Sequence, residues 1–199
     1  MTVKAKIKQR INAACGSNDI VRVYMSDGYV DGFVVAVGAK HFALEIFSDT
    51  IQLNGLNFLR FKDVADCRNP APFHEFLYRV MVLRKIKRVG SPNVDISSLK
   101  SILKIGGAHF PLTTIHLDLK GKGKGKGKGS IEEGDRSKVC YIGRVISVQN
   151  KTVKMRCISP GAQWEPVVEV YPLKLIFRVD FGGGYEDALL LAAEGDGSR

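Results

Sequence analysis

His116 and Asp118 are the residues of this chain best spaced for acid–base chemistry. They stand two apart in FPLTTIHLDL, residues 110–119, which alternates like a strand. Residues two apart on a strand share a face, so a His–Asp couple is geometrically open there. No Ser or Cys is matched to it as a nucleophile, and His109, seven positions earlier, does not complete a metal-ligand set. The couple therefore reads as a surface-strand pair. His74, beside Glu75, reads as an exposed helix residue. Gly182-Gly183-Gly184 lies between a strand and a helix, the setting of a phosphate cradle. Neither GxGxxG spacing nor a P-loop lysine accompanies it, so these glycines read as a sharp turn into the last helix. The chain is expected to be no enzyme and to carry no cofactor and no metal.

The other chemistry on offer is cationic. Lys40 and His41 lie at one turn, and Arg60 and Lys62 lie at a later strand end. Brought together they would form a basic rim, with Lys and Arg neutralising phosphate and His41 stacking on a base or donating to it. Alternating Lys and Gly follow from residue 120: Lys120, Lys122, Lys124, Lys126 and Lys128. Such a stretch has no apolar face, so it reads as an extended loop that either contacts phosphate backbones or only solubilises.

Composition bounds these readings. The chain has 199 residues, 45% of them apolar, and a formal net charge of +10. That excess favours RNA or another polyanion as partner. No apolar run is long enough to span a bilayer, so no membrane partner is expected. The N-terminus lacks the apolar core of a secretory signal. Cys15, Cys67, Cys140 and Cys157 are widely spaced, which suggests a reduced, cytoplasmic protein.

The elements that would position these residues are written twice. GFVVAVGAKHFALEI (32–46) and GRVISVQNKTVKMRC (143–157) share apolar positions: Val34 with Val145, Val37 with Val148, Phe42 with Val153, Leu44 with Met155, Ile46 with Cys157. A period of about 110 residues is too long for a solenoid unit and suits two small domains. KAKIKQRINAAC (4–15) has the spacing of a short amphipathic helix, and IVRVYM, GYVDGFVVAV, FALEIFS, LNFLRF and DVADC read as strands. FHEFLYRVMVLRKIKR, residues 73–88, predicts a closing helix. In the second copy Asp95 is expected to cap the opening helix. Five strands and a last helix follow, with the Lys-Gly segment, 120–138, as an expanded hairpin loop. The domains are expected at 1–90 and 91–199.

The run Val21-x-Val23-x-Met25-x-x-Gly28-x-x-x-x-Gly32-x-Val34, preceded by a helix, resembles the first motif of the Sm-like barrel family. The second half keeps only the part around Gly143. The chain is similar to bacterial proteins with two tandem Sm-like domains. That resemblance implies a mainly β fold with flanking helices, as two small, strongly bent, five-stranded barrels. It also implies single-stranded RNA as the ligand and homo-oligomers formed through barrel edge strands. The base-reading residues of RNA-binding members are only partly matched by Gly38-Ala39-Lys40-His41 and Arg60-Phe61-Lys62-Asp63. In the second copy Gln149-Asn150-Lys151 and Pro172-Leu173-Lys174-Leu175 depart further. A protein-interaction or scaffold module is the alternative.

Overall fold

A computed structural model describes residues 2–26, 28–88, 90, 95–119 and 138–195. The first half runs α1 (Val3–Ala14), β1 (Ile20–Met25), β2 (Gly28–Val37), β3 (His41–Phe47), β4 (Leu53–Arg60), a 3-10 turn (Phe61–Asp63), β5 (Asp66–Arg68) and α2 (His74–Leu83). The second half repeats the order: α3 (Leu99–His109), β6 (Thr113–Asp118), β7 (Lys138–Val148), β8 (Thr152–Ile158), β9 (Trp164–Pro172), a 3-10 turn (Leu173–Leu175), β10 (Ile176–Phe181) and α4 (Gly184–Gly195).

The ten strands form one antiparallel sheet in the order β5-β1-β2-β3-β4-β10-β6-β7-β8-β9. Each half contributes five neighbouring strands in the same internal order. The sheet is open, with β5 and β9 at its edges, so two separately closed barrels are not what the ladders draw. The duplication extends to irregularities. A register shift falls between Val34 and Ala36 in β2 and between Val145 and Ser147 in β7. A second falls between Glu45 and Phe47 in β3 and between Arg156 and Ile158 in β8. Bulges bend strands and increase their twist, so both halves curve at matching points.

Gly32 and Gly143 sit where this bending brings backbones together. A Cβ on Gly32 would lie 2.5 Å from the Glu45 carbonyl oxygen, and one on Gly143 would lie 2.3 Å from that of Arg156. Only glycine fits such an approach.

Each half covers its sheet with a helix capped from its own sequence. The Thr2 hydroxyl accepts the Ala5 N–H at 3.3 Å, and the Ser98 hydroxyl accepts that of Ser101 at 3.0 Å. Asp95, expected to cap α3, instead accepts the Ser97 N–H at 2.9 Å in the approach to the helix. Ile7, Ile11 and Ala14 of α1 close a core with Val21, Val34, Phe42, Leu44, Leu59 and Val64. Ile102 and Leu103 of α3 close a second core with Ile115, Met155, Val179 and Phe181, and this one also takes Leu56 and Phe58 from the first half. The junction is therefore buried, with the Phe58 and Phe181 rings edge to face at 5.4 Å.

The closing helices pack on the other side of the sheet. Leu77 of α2 meets Ile20 and Phe33, and Leu189 of α4 meets Leu112 and Ile158. His74 corrects its exposed reading, because it is 2% exposed. Its Nδ1 accepts the Ala71 N–H at 3.2 Å, and its Nε2 lies 3.3 Å from an Asp31 carboxylate oxygen. Arg22 grips both oxygens of Asp31 at 2.8 and 2.7 Å. In α4, Glu186 holds the place of His74 and bonds to the Thr114 hydroxyl.

α2 ends at Leu83, short of the predicted 88. Lys85 takes a left-handed conformation, φ 54°. The Ile86 N–H then bonds to the Met81 carbonyl at 2.9 Å and that of Lys85 to Val82 at 3.2 Å, the double bond of a Schellman stop. No helix among the described residues is long and apolar enough to cross a membrane.

Gly32→Ala and Gly143→Ala should each destabilise the protein by about 1–3 kcal/mol, because the opposing backbone must move. Urea melts should show lower midpoints for both and little change for Gly161→Ala, whose new methyl would meet nothing nearer than 3.7 Å.

Candidate nucleic-acid interface

The turn between β2 and β3 presents Lys40. The Gly38 N–H bonds to the His41 carbonyl at 2.8 Å, closing the turn and leaving Lys40 exposed at its tip. The 3-10 turn after β4 docks on it, with the Phe61 N–H donating to the Lys40 carbonyl at 3.1 Å. That contact sets exposed Lys62 beside Lys40. Helix α1 supplies two more cations. Lys8 Nζ donates to the Ala39 carbonyl at 3.2 Å and lies 5.3 Å from the centre of the Phe61 ring. Lys4 Nζ donates to the carbonyls of Lys62 at 2.9 Å and Val64 at 2.5 Å.

The second half builds the same arrangement. The Gln149 N–H bonds to the Thr152 carbonyl at 2.8 Å, and the Leu173 N–H to the Lys151 carbonyl at 2.9 Å. Lys151 and Lys174 stand exposed where the first half has Lys40 and Lys62. Counted from their capping residues, Lys100 and Lys104 of α3 match Lys4 and Lys8 of α1. Lys100 Nζ donates to the Asn150 side-chain oxygen at 2.8 Å. Four lysine positions thus recur. The second group is harder to read in the sequence because its turn residues are mostly apolar and the helices are offset differently from the strands.

Two residues of the expected rim are placed otherwise. Arg60 is ion-paired with Asp63, its side chain only 15% exposed, so its charge is already engaged. His41 lies opposite Arg60 in the β3–β4 ladder, 7% exposed, and its Nδ1 has no hydrogen-bond partner among the described residues. Burial, reinforced by the nearby charges of Arg60 and Lys40, lowers its pKa below the usual value and keeps it neutral near pH 7. It is a wall of the turn and has no ring face open for a base. Lys120, Lys122, Lys124, Lys126 and Lys128 lie outside the described residues.

The remaining chemistry resolves into structure. His116 Nε2 lies 2.7 Å from Asp180 on β10, so its carboxylate partner comes from across the sheet rather than from Asp118 on its own strand. Asp180 also receives the Asn57 amide at 2.7 Å and Arg178 Nε at 2.8 and 3.0 Å. Burial alone would raise its pKa; the His116 bond and the Arg178 charge outweigh that and hold it below the usual carboxylate range. The Gly184 N–H, at the start of α4, is taken by the Asn54 side chain at 2.8 Å, which fills the place a phosphate would need. Trp164 begins β9 beneath Arg144 and Arg156, whose guanidinium carbons lie 5.1 and 5.5 Å from the ring centre. All four cysteines are free thiols. Burial pushes the Cys67 thiol up to about 11, which makes it a poor nucleophile. No group of three His, Cys, Asp or Glu among the described residues is arranged to hold a metal.

Compared with known protein families, curated proteins and solved structures, the chain matches none.

Asp180→Asn should destabilise the protein at neutral pH by about 3–5 kcal/mol, since it strands Arg178 and His116 at the junction. A carboxylate whose folded pKa is depressed stabilises fully above its unfolded pKa, near 3.8 here, and loses that contribution as pH falls through the folded value. Denaturation at several pH values should show the gap between the two proteins closing below about pH 4.

Proposed function

We propose that this protein is a non-enzymatic binder of single-stranded RNA, built from two Sm-like units and contacting phosphates through its recurring lysines. One observation carries the reading. The same turn-on-turn contact presents Lys40 with Lys62 and Lys151 with Lys174, while Lys4 and Lys8 of α1 and Lys100 of α3 donate into those turns. Nothing in the packing of either core requires lysine at these exposed tips. Nearby carboxylates are committed elsewhere, Asp63 to Arg60 and Asp66 to Arg10 and Arg68. Lysines outnumber carboxylates at these turns, and a chain of phosphates is the ligand that such a positive potential suits. Selectivity for one base sequence is not expected, because His41 is covered and the lysines address the backbone.

The proposal includes assembly through the free edges. β9 is nine residues long, with Val167, Val168 and Val170 exposed by 62%, 41% and 51%. Folded proteins seldom leave so apolar an edge open. The internal junction supplies a template, since β4 and β10 pair Asn57 with Asp180 and Phe58 with Val179. Arg68 of β5 holds the place of Asp180, and Glu169 of β9 holds that of Asn57. A copy of the chain adding its β5 to another's β9 in the same register would set Arg68 against Glu169 and Cys67 against Val170. The exposed β9 edge equally suits a strand from a different protein, which is the scaffold alternative.

The RNA reading is tested by anisotropy of a labelled single-stranded RNA across salt concentrations. Replacing Lys40, Lys62, Lys151 and Lys174 by Ala should weaken binding and flatten the log–log salt slope by about 3, given roughly 0.7 per phosphate contact on single strands. An unchanged slope, with binding lost instead when Lys120–Lys128 are replaced by Ser, would sink it.

For assembly, Arg68→Glu or Glu169→Arg alone should lower the mass seen by light scattering, and the two together should restore it. A protein that stays monomeric at high concentration, or two charge changes that fail to compensate, would count against edge pairing.

A further inference from the structure

Helix α2 is apolar on two opposite sides, and the sheet uses only one. Leu77 packs against Ile20 and Phe33, with Met81 beside it. The Tyr78 hydroxyl accepts the Ile20 N–H at 2.7 Å and donates to the Asn18 carbonyl at 3.1 Å. Helical spacing turns Phe76, Arg79 and Leu83 away from that side. Phe76 is 52% exposed and Leu83 78%, and they are flanked by Phe73 at 71% and Val82 at 77%. Four large apolar side chains exposed along one ten-residue helix and its N-cap are not explained by the packing of this chain, and exposed apolar surface of this kind marks a face that something covers.

The charges around the cluster restrict what that is. Arg79, Arg84, Lys85 and Lys87 are exposed on or just beyond the helix, and Glu75 is the only carboxylate in it. Arg84 also donates to the Thr50 carbonyl at 2.6 Å while staying exposed, and Arg88, less exposed, donates to the Ser17 carbonyl at 2.8 Å and covers the Phe33 ring. A second copy's α2 would bring the same cations and be repelled. A second copy's α4 offers fewer anions than the four cations here, because Glu186 bonds to Thr114 and Glu194 pairs with Arg144, which leaves Asp187. The occupant must be anionic and must accept projecting side chains.

We propose that α2 docks on an anionic lipid surface. Phe73, Phe76, Val82 and Leu83 enter the headgroup region, and Arg79, Arg84, Lys85 and Lys87 meet the lipid phosphates. A bilayer needs no complementary groove to receive convex apolar side chains, and the pairing of bulky apolar with basic residues is what interfacial helices use. The helix lies on such a surface and does not cross it. This surface is distinct from the lysine tips of the two units, so the inference stands or fails separately from RNA binding.

Flotation with vesicles tests it. The full-length protein should float with mixed phosphatidylcholine–phosphatidylglycerol vesicles and stay behind with phosphatidylcholine alone. Phe76→Ser with Leu83→Ser should reduce flotation roughly tenfold at equal salt, while leaving RNA affinity and circular dichroism unchanged. Arg84→Glu with Lys85→Glu should remove the preference for the anionic lipid. The Ala variant of Lys40, Lys62, Lys151 and Lys174 should float like the parent. Two results overturn the proposal. Undiminished flotation of the Ser variant would mean general charge attraction, and no flotation of the parent would mean that α2 is covered by a protein.

Discussion

The pairing of β4 with β10 is the contact on which the arrangement of everything else depends. Its ladder is short, from Leu56 with Phe181 to Leu59 with Arg178. On one face it buries Phe58 against Phe181, and it also buries a carboxylate, Asp180, among Asn57, His116 and Arg178. A charge withdrawn from water is tolerable only when its partners sit at the right places. A slip of one residue along β4 would set Asp180 opposite an apolar side chain and turn Phe58 to the wrong face. The cluster therefore fixes the register of one half on the other, and through it the placement of the two lysine groups.

Much of this was legible in the residues. The period of about 110, the glycines at 32 and 143, and the alternation of β1 to β3 are local patterns, and local patterns survive in a single sequence. What could not be read was every contact made between segments far apart in the chain. Asp118 is two residues from His116, whereas Asp180 is distant, so sequence spacing pointed to the near carboxylate and the sheet supplied the far one. His74 stood next to Glu75, and only the fold brings Asp31, held by Arg22, to its ring. The second lysine group was obscured because 120–138 has no counterpart in the first half, which shifts the helices and the later strands by different amounts. Lys120 to Lys128 drew attention by composition, while Lys4 and Lys8 looked like the ordinary solvent face of a helix.

The two halves share a backbone plan and diverge in what they hang on it. Arg22 and His74, bridged by Asp31, in one half become Thr114 and Glu186, bonded directly, in the other. Asn57 becomes Glu169 and Asp180 becomes Arg68 at the strand edges. Polar contacts have been rewritten wherever a local partner could change with them, as expected when each needs only to satisfy its own neighbours. Lys40, Lys62, Lys151 and Lys174 at the turn tips have no side-chain partner among the described residues, and yet lysine stands at both tips of both halves.

Carrying β4 and β10 on one polypeptide has a consequence for concentration. Tethered strands meet at an effective concentration set by the linker, on the order of millimolar for short flexible ones, however dilute the solution. The internal junction therefore persists at any protein level, whereas an edge left for another molecule is filled only by mass action. On dilution the chain retains its ten-stranded sheet, and a strand added to β5 or β9 from another molecule would be the first to leave.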